Sequence, residues 1–155
     1  YVTDEILIYS SNTDELVQEI HHRYPNEKIY VFPDPSGSRQ QTSSSGKSDH
    51  SILSNAGFQV RAPRRHDPVK DRINAINGRF CNSLGERHLF VDPKCKHTIE
   101  SLEKHSYKLG TVIPDKDKGH DHIFDALSYC IAYLYPIRRD VTPQPNMSWS
   151  TKVSL

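Results

Sequence analysis

Three aspartates and one histidine are the residues of this sequence whose types and spacing best suit metal-dependent chemistry. Asp34 follows the apolar run 28–32 by two positions. Asp121 and Asp125 are four residues apart, and His122 stands three residues before Asp125. Carboxylate oxygens are the ligands that hard divalent cations such as Mg²⁺ prefer. These side chains form a candidate metal site, provided that the fold brings Asp34 to the others.

Each half of this candidate site also has a simpler interpretation. The stretch 34–37, Asp-Pro-Ser-Gly, is ordinary turn chemistry, and on local sequence alone the turn is favoured. Helical spacing places Asp121 and Asp125 on one side of a helix, where they repel each other unless a cation or solvent screens them. That side is also typical of a polar outer face. Its neighbouring residues Ser128 and Ala132 are small, which indicates that something packs or binds closely there.

The loop after Asp34 does not match a nucleotide-binding loop. Its tripeptide 46–48, Gly-Lys-Ser, resembles the end of a phosphate-binding loop, but that motif needs a glycine five residues earlier, where Gln41 stands. Lys47 and Arg39 are therefore interpreted as solvated cations on a serine-rich loop, and contact with a phosphate stays open.

A cluster of cations between positions 61 and 72 suits contact with a phosphate backbone. The formal net charge of the whole chain is only +1, so overall charge gives no argument for nucleic acid. Asp67 and Asp71 are the only opposing charges in the cluster, and such a run is also typical of a solvated face. The basic residues are Arg61, Arg64, Arg65, His66, Lys70 and Arg72.

Length and composition predict one domain in a reducing compartment. The chain has 155 residues, of which 35% are hydrophobic, and no apolar run approaches the roughly 20 residues of a membrane span. No signal-peptide pattern opens the sequence. Three widely separated cysteines predict free thiols rather than disulfides or a zinc site.

The elements that must position the acids alternate between strands and helices, which predicts an α/β fold with at least part of its sheet parallel. Asp34 then lies at the carboxyl end of a buried strand, the edge at which α/β sheets bind ligands. Thr13 and Asp67 are the predicted N-caps of two helices. Strands are predicted at 1–9, 28–32, 58–62 and 88–92, and helices from Thr13 and over about 49–55, 68–80, 96–107 and 120–135. The apolar stripe predicted for the last helix is Ile123, Leu127, Cys130, Ile131 and Leu134.

Four segments in this order resemble the nuclease domain of the large terminase subunits of tailed phages, which has an RNase H-like fold. They are VFPDPSGS, LSNAGFQVRAPRRHDPVKDRINAING, LFVDPKCKHTIESLEKHSY and HDHIFDALSYCIAY, and the resemblance covers roughly residues 1–135. It implies a mixed sheet flanked by helices, in a domain 1–139 followed by a flexible tail 140–155. It also implies a metal-dependent endonuclease that cuts double-stranded phage DNA during genome packaging.

The resemblance assigns roles to individual residues. Asp34 and Asp125 match essential metal-binding acids, His122 matches a functional histidine, and Asp121 is a further candidate ligand. Two Mg²⁺ or Mn²⁺ ions about 4 Å apart would be the cofactors. The residues expected to hold the DNA backbone are Arg64, Arg65, Lys70, Arg72 and Lys47.

The sequence departs from the family pattern at its start. Family nuclease domains open with a strand that carries the first catalytic aspartate and continue with a second strand, whereas residues 1–9 resemble the third. Asp4 and Glu5 are on the wrong strand, and Glu5 is expected at a solvent-facing strand end. The chain is therefore expected to be an N-terminally incomplete domain, with its first acid upstream of Tyr1.

Expected partners are double-stranded DNA and, within the packaging motor, the portal and the small terminase subunit, in the host cytoplasm and away from membranes. Two alternatives remain open on the sequence. One is a different RNase H-like nuclease, such as a junction resolvase or an integrase. The other is a non-catalytic module that docks DNA or a portal ring through the basic segment and the tail.

Overall fold

A computed structural model of the chain describes three stretches, residues 1–39, 47–104 and 121–137, and at Asp121 it describes the backbone alone. The predicted tail from residue 140 onward and the predicted polar loop 109–119 lie outside them. Within those stretches, no helix combines the length and the apolar composition needed to cross a membrane.

The described elements alternate between helices and short strands, as the sequence predicts. Their order and bounds are α1 (Thr13–Arg23), β1 (Tyr30–Val31), a 3₁₀ turn (Pro35–Ser38), α2 (Asp49–Asn55), β2 (Gln59–Val60), α3 (Val69–Phe80), α4 (Lys96–Lys104) and α5 (Asp121–Leu134).

The two strands pair in parallel, which confirms the predicted α/β fold class. Gln59 N donates to the Ile29 carbonyl at 2.9 Å, and Arg61 N donates to the Val31 carbonyl at 2.8 Å. Helix α2 lies between β1 and β2 in the chain, so the two strands and the helix form a βαβ crossover. Only the parallel part of the expected mixed sheet is found among the described residues.

The strands predicted at 1–9 and 88–92 are wrong as continuous strands. One parallel bridge joins Val2 to Val91, in which Val2 N donates to the Phe90 carbonyl and Asp92 N donates to the Val2 carbonyl, both at 2.8 Å. β-Branched and aromatic residues fit the surface of a pleated sheet well, but a segment forms a strand only where a second backbone pairs with it. In the described part of the chain, residues 3–9 have no such partner.

Two predicted N-caps are displaced by one residue. Asn12, not Thr13, caps α1, because its side chain accepts from Glu15 N at 2.9 Å while the Glu15 carboxylate accepts from Asn12 N, which completes a capping box. Thr13 instead donates to Asp49 Oδ1 at 2.7 Å and ties α1 to α2. Pro68 occupies the cap position of α3 and provides no side-chain hydrogen bond.

Packing of α3 against α5 forms the core. Its buried members are Ile73, Ala75, Ile76, Leu89, Phe124 and Ile131. The buried face of α5 is rotated from the predicted stripe, because Ser128 and Ala132 are buried while Leu134 is 49% exposed. The small side chains that suggested close packing do border a neighbour, since Arg72 of α3 binds Ser128.

Glu5 holds the start of α4 rather than facing solvent at a strand end, which corrects the prediction for this residue. Its carboxylate accepts from His97 N at 3.1 Å, Thr98 N at 2.8 Å and the Thr98 hydroxyl at 2.9 Å. Desolvation opposes ionisation, but these donors outweigh it and hold the pKa of Glu5 below its ordinary value. An anion at the amino end of a helix also complements the helix dipole.

We expect Glu5→Gln to lower the free energy of unfolding at neutral pH by about 1 kcal/mol, the usual worth of a helix cap. Because the folded-state pKa is depressed, this contribution is complete above the ordinary glutamate pKa of 4.5 and is lost as the pH falls through the folded-state pKa. Urea unfolding of both proteins at several pH values measures it. Glu27→Gln, at an exposed glutamate, is the control, and a deficit that did not shrink as the pH is lowered through the acid range would contradict the capping role.

Candidate functional site

The turn after β1 fixes the direction of the Asp34 side chain. Asp34 caps the 3₁₀ turn, and its Oδ1 accepts from Ser36 N at 2.7 Å. His50 of α2 lies with Nε2 2.9 Å from the Asp34 carbonyl oxygen, which can only accept, so the ring nitrogen is the donor. Gly37 permits this approach, because a Cβ there would lie 3.2 Å from the His50 ring.

The Asp34 carboxylate faces α5, as the candidate metal site requires. The Tyr129 hydroxyl donates to Asp34 Oδ2 at 2.8 Å, and His66 Nε2 lies 3.3 Å from Oδ1. One turn further along α5, the Tyr133 ring packs on Phe32 with centroids 5.4 Å apart. The end of the β1 segment and the last helix therefore meet at Asp34.

Asp34 is an anion at neutral pH. Burial alone would raise its pKa, but the Ser36 N–H, the Tyr129 hydroxyl and the nearby His66 together hold the pKa of Asp34 below its ordinary value. The pKa of Tyr129 is raised, first because burial disfavours the phenolate and then because its hydroxyl is bonded to Asp34. Tyr129 is thus a neutral donor at physiological pH, and its hydroxyl orients the carboxylate.

Asp125 is held by an arginine from α3. Arg72 Nη1 donates to Asp125 Oδ1 at 2.7 Å and also to Ser128 Oγ. Ser128 Oγ in turn donates to the Asp125 carbonyl at 2.7 Å. The Arg72 guanidinium lies over the Tyr129 ring, 4.7 Å from its centroid. Asp34 and Asp125 therefore belong to one connected network, through Tyr129 and Arg72.

The burial of Arg72 changes the role that we assign to it. The sequence grouped it with DNA-facing cations because it ends the basic run, but its side chain is only 7% exposed. Helical spacing could have predicted this burial, because Arg72 lies four residues before Ile76 and so shares the buried face of α3. The repulsion expected between helical aspartates called for a screening cation, and for Asp125 that cation is Arg72.

Two predicted site residues are not placed in this network. His122 is exposed at a cavity of about 320 Å³, which it lines with Glu5, Leu7, Thr98 and Ala126. The prediction for the Asp121 carboxylate lies outside the described residues, because only its backbone is described.

The donor chemistry fits a hard divalent cation as a partial ligand set. Among the described side chains, no three Asp, Glu, His or Cys residues cluster closely enough to form a closed metal site. Mg²⁺ commonly takes one or two protein carboxylates and completes its shell with water and substrate phosphate. Asp34 and Asp125 each provide carboxylate oxygens of the kind that such an open site uses.

The exposed part of the basic segment borders the acids. His66 contacts Asp34, and its neighbours Arg64 and Arg65 are exposed, as is Lys70 in the first turn of α3. Lys47 is exposed just before α2, the helix whose His50 binds the Asp34 backbone.

Sequence reasoning missed Tyr129, His66 and His50 as parts of the site. Tyr129 carried a usable signal, because it follows Asp125 by four residues and must share its helix face. The contacts of His66 and His50 depend on the return of β2 beside β1, which no local pattern shows.

In open α/β sheets, ligands bind at the carboxyl edge of the parallel strands, and Asp34 lies at that edge of β1. The family model described as "Terminase RNaseH-like domain" matches residues 11–134, and the chain belongs to this family. This match confirms the resemblance to a terminase nuclease domain and favours it over the junction-resolvase and integrase alternatives. No curated protein and no solved structure matches the chain.

We expect Tyr129→Phe to raise the pKa of Asp34 toward its ordinary value, because it removes one donor and keeps the ring against Arg72. The free energy of unfolding at neutral pH should fall by about 1 kcal/mol. NMR titration of the aspartate carboxyls and urea unfolding measure the two effects. The control Tyr133→Phe also removes a tyrosine hydroxyl from α5, but at a more exposed position, and should leave the pKa of Asp34 unchanged. An unshifted Asp34 pKa in Tyr129→Phe would contradict the assigned contact.

Proposed function

We propose that the chain is the catalytic part of a divalent-metal-dependent endonuclease that hydrolyses phosphodiester bonds of double-stranded phage DNA during genome packaging in the host cytoplasm. The observation that carries the proposal is the 2.8 Å hydrogen bond from Tyr129 to Asp34. It joins the strand-end acid to the helix that bears Asp125, in a chain of the terminase RNase H-like family.

The residues divide into ligands and residues that orient them. Asp34 and Asp125 hold Mg²⁺ or Mn²⁺, and such ions supply an activated water and neutralise charge on the leaving oxygen. Ser36 and Tyr129 orient the Asp34 carboxylate by donating to its two oxygens. Asp121 and His122 stay in the proposal as an outer ligand and as a group that orients water or phosphate.

Exposed cations beside the acids would hold the DNA backbone. Arg64, Arg65 and Lys70 lie on the segment whose His66 touches Asp34, and Lys47 precedes α2. Contacts to phosphate fix position without reading bases, so this surface gives a nuclease with little sequence preference. Within the packaging motor, the portal and the small terminase subunit are the proposed protein partners.

We expect Asp34→Asn and Asp125→Asn each to abolish Mn²⁺-dependent cleavage of plasmid DNA by the full-length protein. The amide keeps the size of the side chain but removes the negative charge that a divalent cation needs. Agarose-gel assays of supercoiled plasmid measure nicking and linearisation, and circular dichroism checks that each variant is folded.

Asp14→Asn is the matched control, since Asp14 is an exposed carboxylate in the first turn of α1. It should cut at the wild-type rate. Cleavage by Asp34→Asn at that rate would disprove the assignment of the site. Tight DNA binding without cleavage by the wild-type protein would instead support the docking module.

We expect the double variant Arg64→Gln/Arg65→Gln to weaken DNA binding equally for duplexes of different sequence. Each lost phosphate contact should reduce the slope of log K against log salt by about one. Fluorescence anisotropy without divalent cations measures binding while cleavage is prevented.

Arg87→Gln is the control for this variant. Arg87 is exposed in the segment that follows α3, and the 12 residues of that helix, about 18 Å, separate it from Arg64 and Arg65. An unchanged salt slope in the double variant would place the DNA surface elsewhere.

A further inference from the structure

Arg72 is the one charged side chain that is buried in the described part of the chain. Its Nε has no hydrogen-bond partner, although the atom is shielded from solvent. Moving a guanidinium out of water is costly, and well-packed apolar residues in place of a buried ion pair are often as stable or more so. Helix packing alone therefore does not explain an arginine on the buried face of α3.

The contacts of Arg72 reach both halves of the candidate site. Its Nη1 binds Asp125 Oδ1, and its guanidinium lies on the ring of Tyr129, whose hydroxyl binds Asp34. A planar guanidinium fixes the direction of its hydrogen bonds and stacks on an aromatic face, whereas a lysine ammonium is a point charge on a flexible stem. The side chain thus has the geometry to set the directions of two groups together.

Ser128 shows that the guanidinium is itself held in place. Its hydroxyl accepts from Arg72 Nη1 and donates to the Asp125 carbonyl, and the residue is fully buried. Arg72 is consequently bonded to one turn of α5 at the Asp125 carboxylate and at Ser128, with the Tyr129 ring beside it. The contacts with Ser128 and Tyr129 hold the guanidinium, and the guanidinium in turn restricts the rotation of the Asp125 side chain.

We propose that Arg72 is the positioning residue of the metal site: it holds the Asp125 carboxylate and the Tyr129 ring, and through Tyr129 the Asp34 carboxylate, in the arrangement that binds a divalent cation. This inference rests on the proposed function, because it concerns the same site. It differs from a purely structural role, in which Arg72 would only join α3 to α5 and any side chain that preserved the fold would serve.

The test is the affinity of the full-length protein for Mn²⁺ alone, measured by isothermal titration calorimetry. Arg72→Lys keeps the positive charge but loses the planar contacts, and we expect it to weaken Mn²⁺ binding about tenfold or more, the usual effect of removing a group that orients a metal ligand. Arg79→Lys is the matched control. Arg79 is another arginine of α3, stacked on Tyr135 at 3.7 Å, and its replacement should leave Mn²⁺ affinity unchanged.

A double-mutant cycle separates positioning from general destabilisation. If Arg72 acts through Tyr129, the losses of Mn²⁺ affinity caused by Arg72→Lys and Tyr129→Leu will be smaller together than their sum. Additive losses would overturn the proposed link to Asp34. If Arg72→Lys does not fold, Ser128→Ala replaces it, because it keeps the guanidinium and removes one of its acceptors from a fully buried position.

The outcomes distinguish this inference from the proposed function. Wild-type protein that binds no Mn²⁺ would overturn both the metal site and the role of Arg72. Wild-type binding together with unchanged affinity in Arg72→Lys, or in Ser128→Ala where that variant is used, would overturn only the positioning role. Weakened binding in the variant with normal binding in Arg79→Lys would support it.

Discussion

A guanidinium buried between two helices can find acceptors only inside the protein, and this constraint organises the centre of the structure. Arg72 Nη1 finds them in the Asp125 carboxylate and the Ser128 hydroxyl, the guanidinium lies on the face of Tyr129, and Nε stays without a partner. Those three residues span little more than one turn of α5, so the arginine fixes how α5 is rotated against α3. That rotation in turn directs the Tyr129 hydroxyl to Asp34.

The turn predicted at Asp34 is confirmed, and the carboxylate uses only one of its oxygens to close it. One carboxylate oxygen accepts from Ser36 N and closes the turn, while the other accepts from Tyr129. Gly37 and His50 hold the turn against α2. A local motif that is common in loops thus becomes a rigid support for an anion at the edge of the sheet.

The basic segment also divides by burial rather than by position in the sequence. Arg64 and Arg65 are exposed beside His66, whereas Arg72 turns inward eight residues after Arg64. The helical period of α3 makes this division, since Lys70 lies outside and Arg72 lies with Ile73 and Ile76. The exposed cations can be reached by a phosphate backbone, whereas the buried Arg72 binds the Asp125 carboxylate.

The sequence by itself determined the features that depend on neighbouring residues. Helix positions, the two apolar segments on either side of α2 and the turn at Asp34 follow from caps, periodicity and turn residues, whose effects extend only a few residues. The resemblance to terminase nuclease domains followed from motif order and is confirmed over residues 11–134. The same local signals predicted strands at 1–9 and 88–92, where pairing is limited to one bridge.

Only the tertiary structure decided which side chains meet. Glu5 caps α4 from 93 residues away, Arg72 pairs with Asp125 across 53 positions, and Tyr129 reaches Asp34 across 95. No periodicity spans such separations, because these contacts arise from the packing of whole elements. The sequence therefore predicted the acids and the helix that bears Asp125. The contacts of Arg72 with Asp125 and of Tyr129 with Asp34 result from the packing of the elements and could not be predicted.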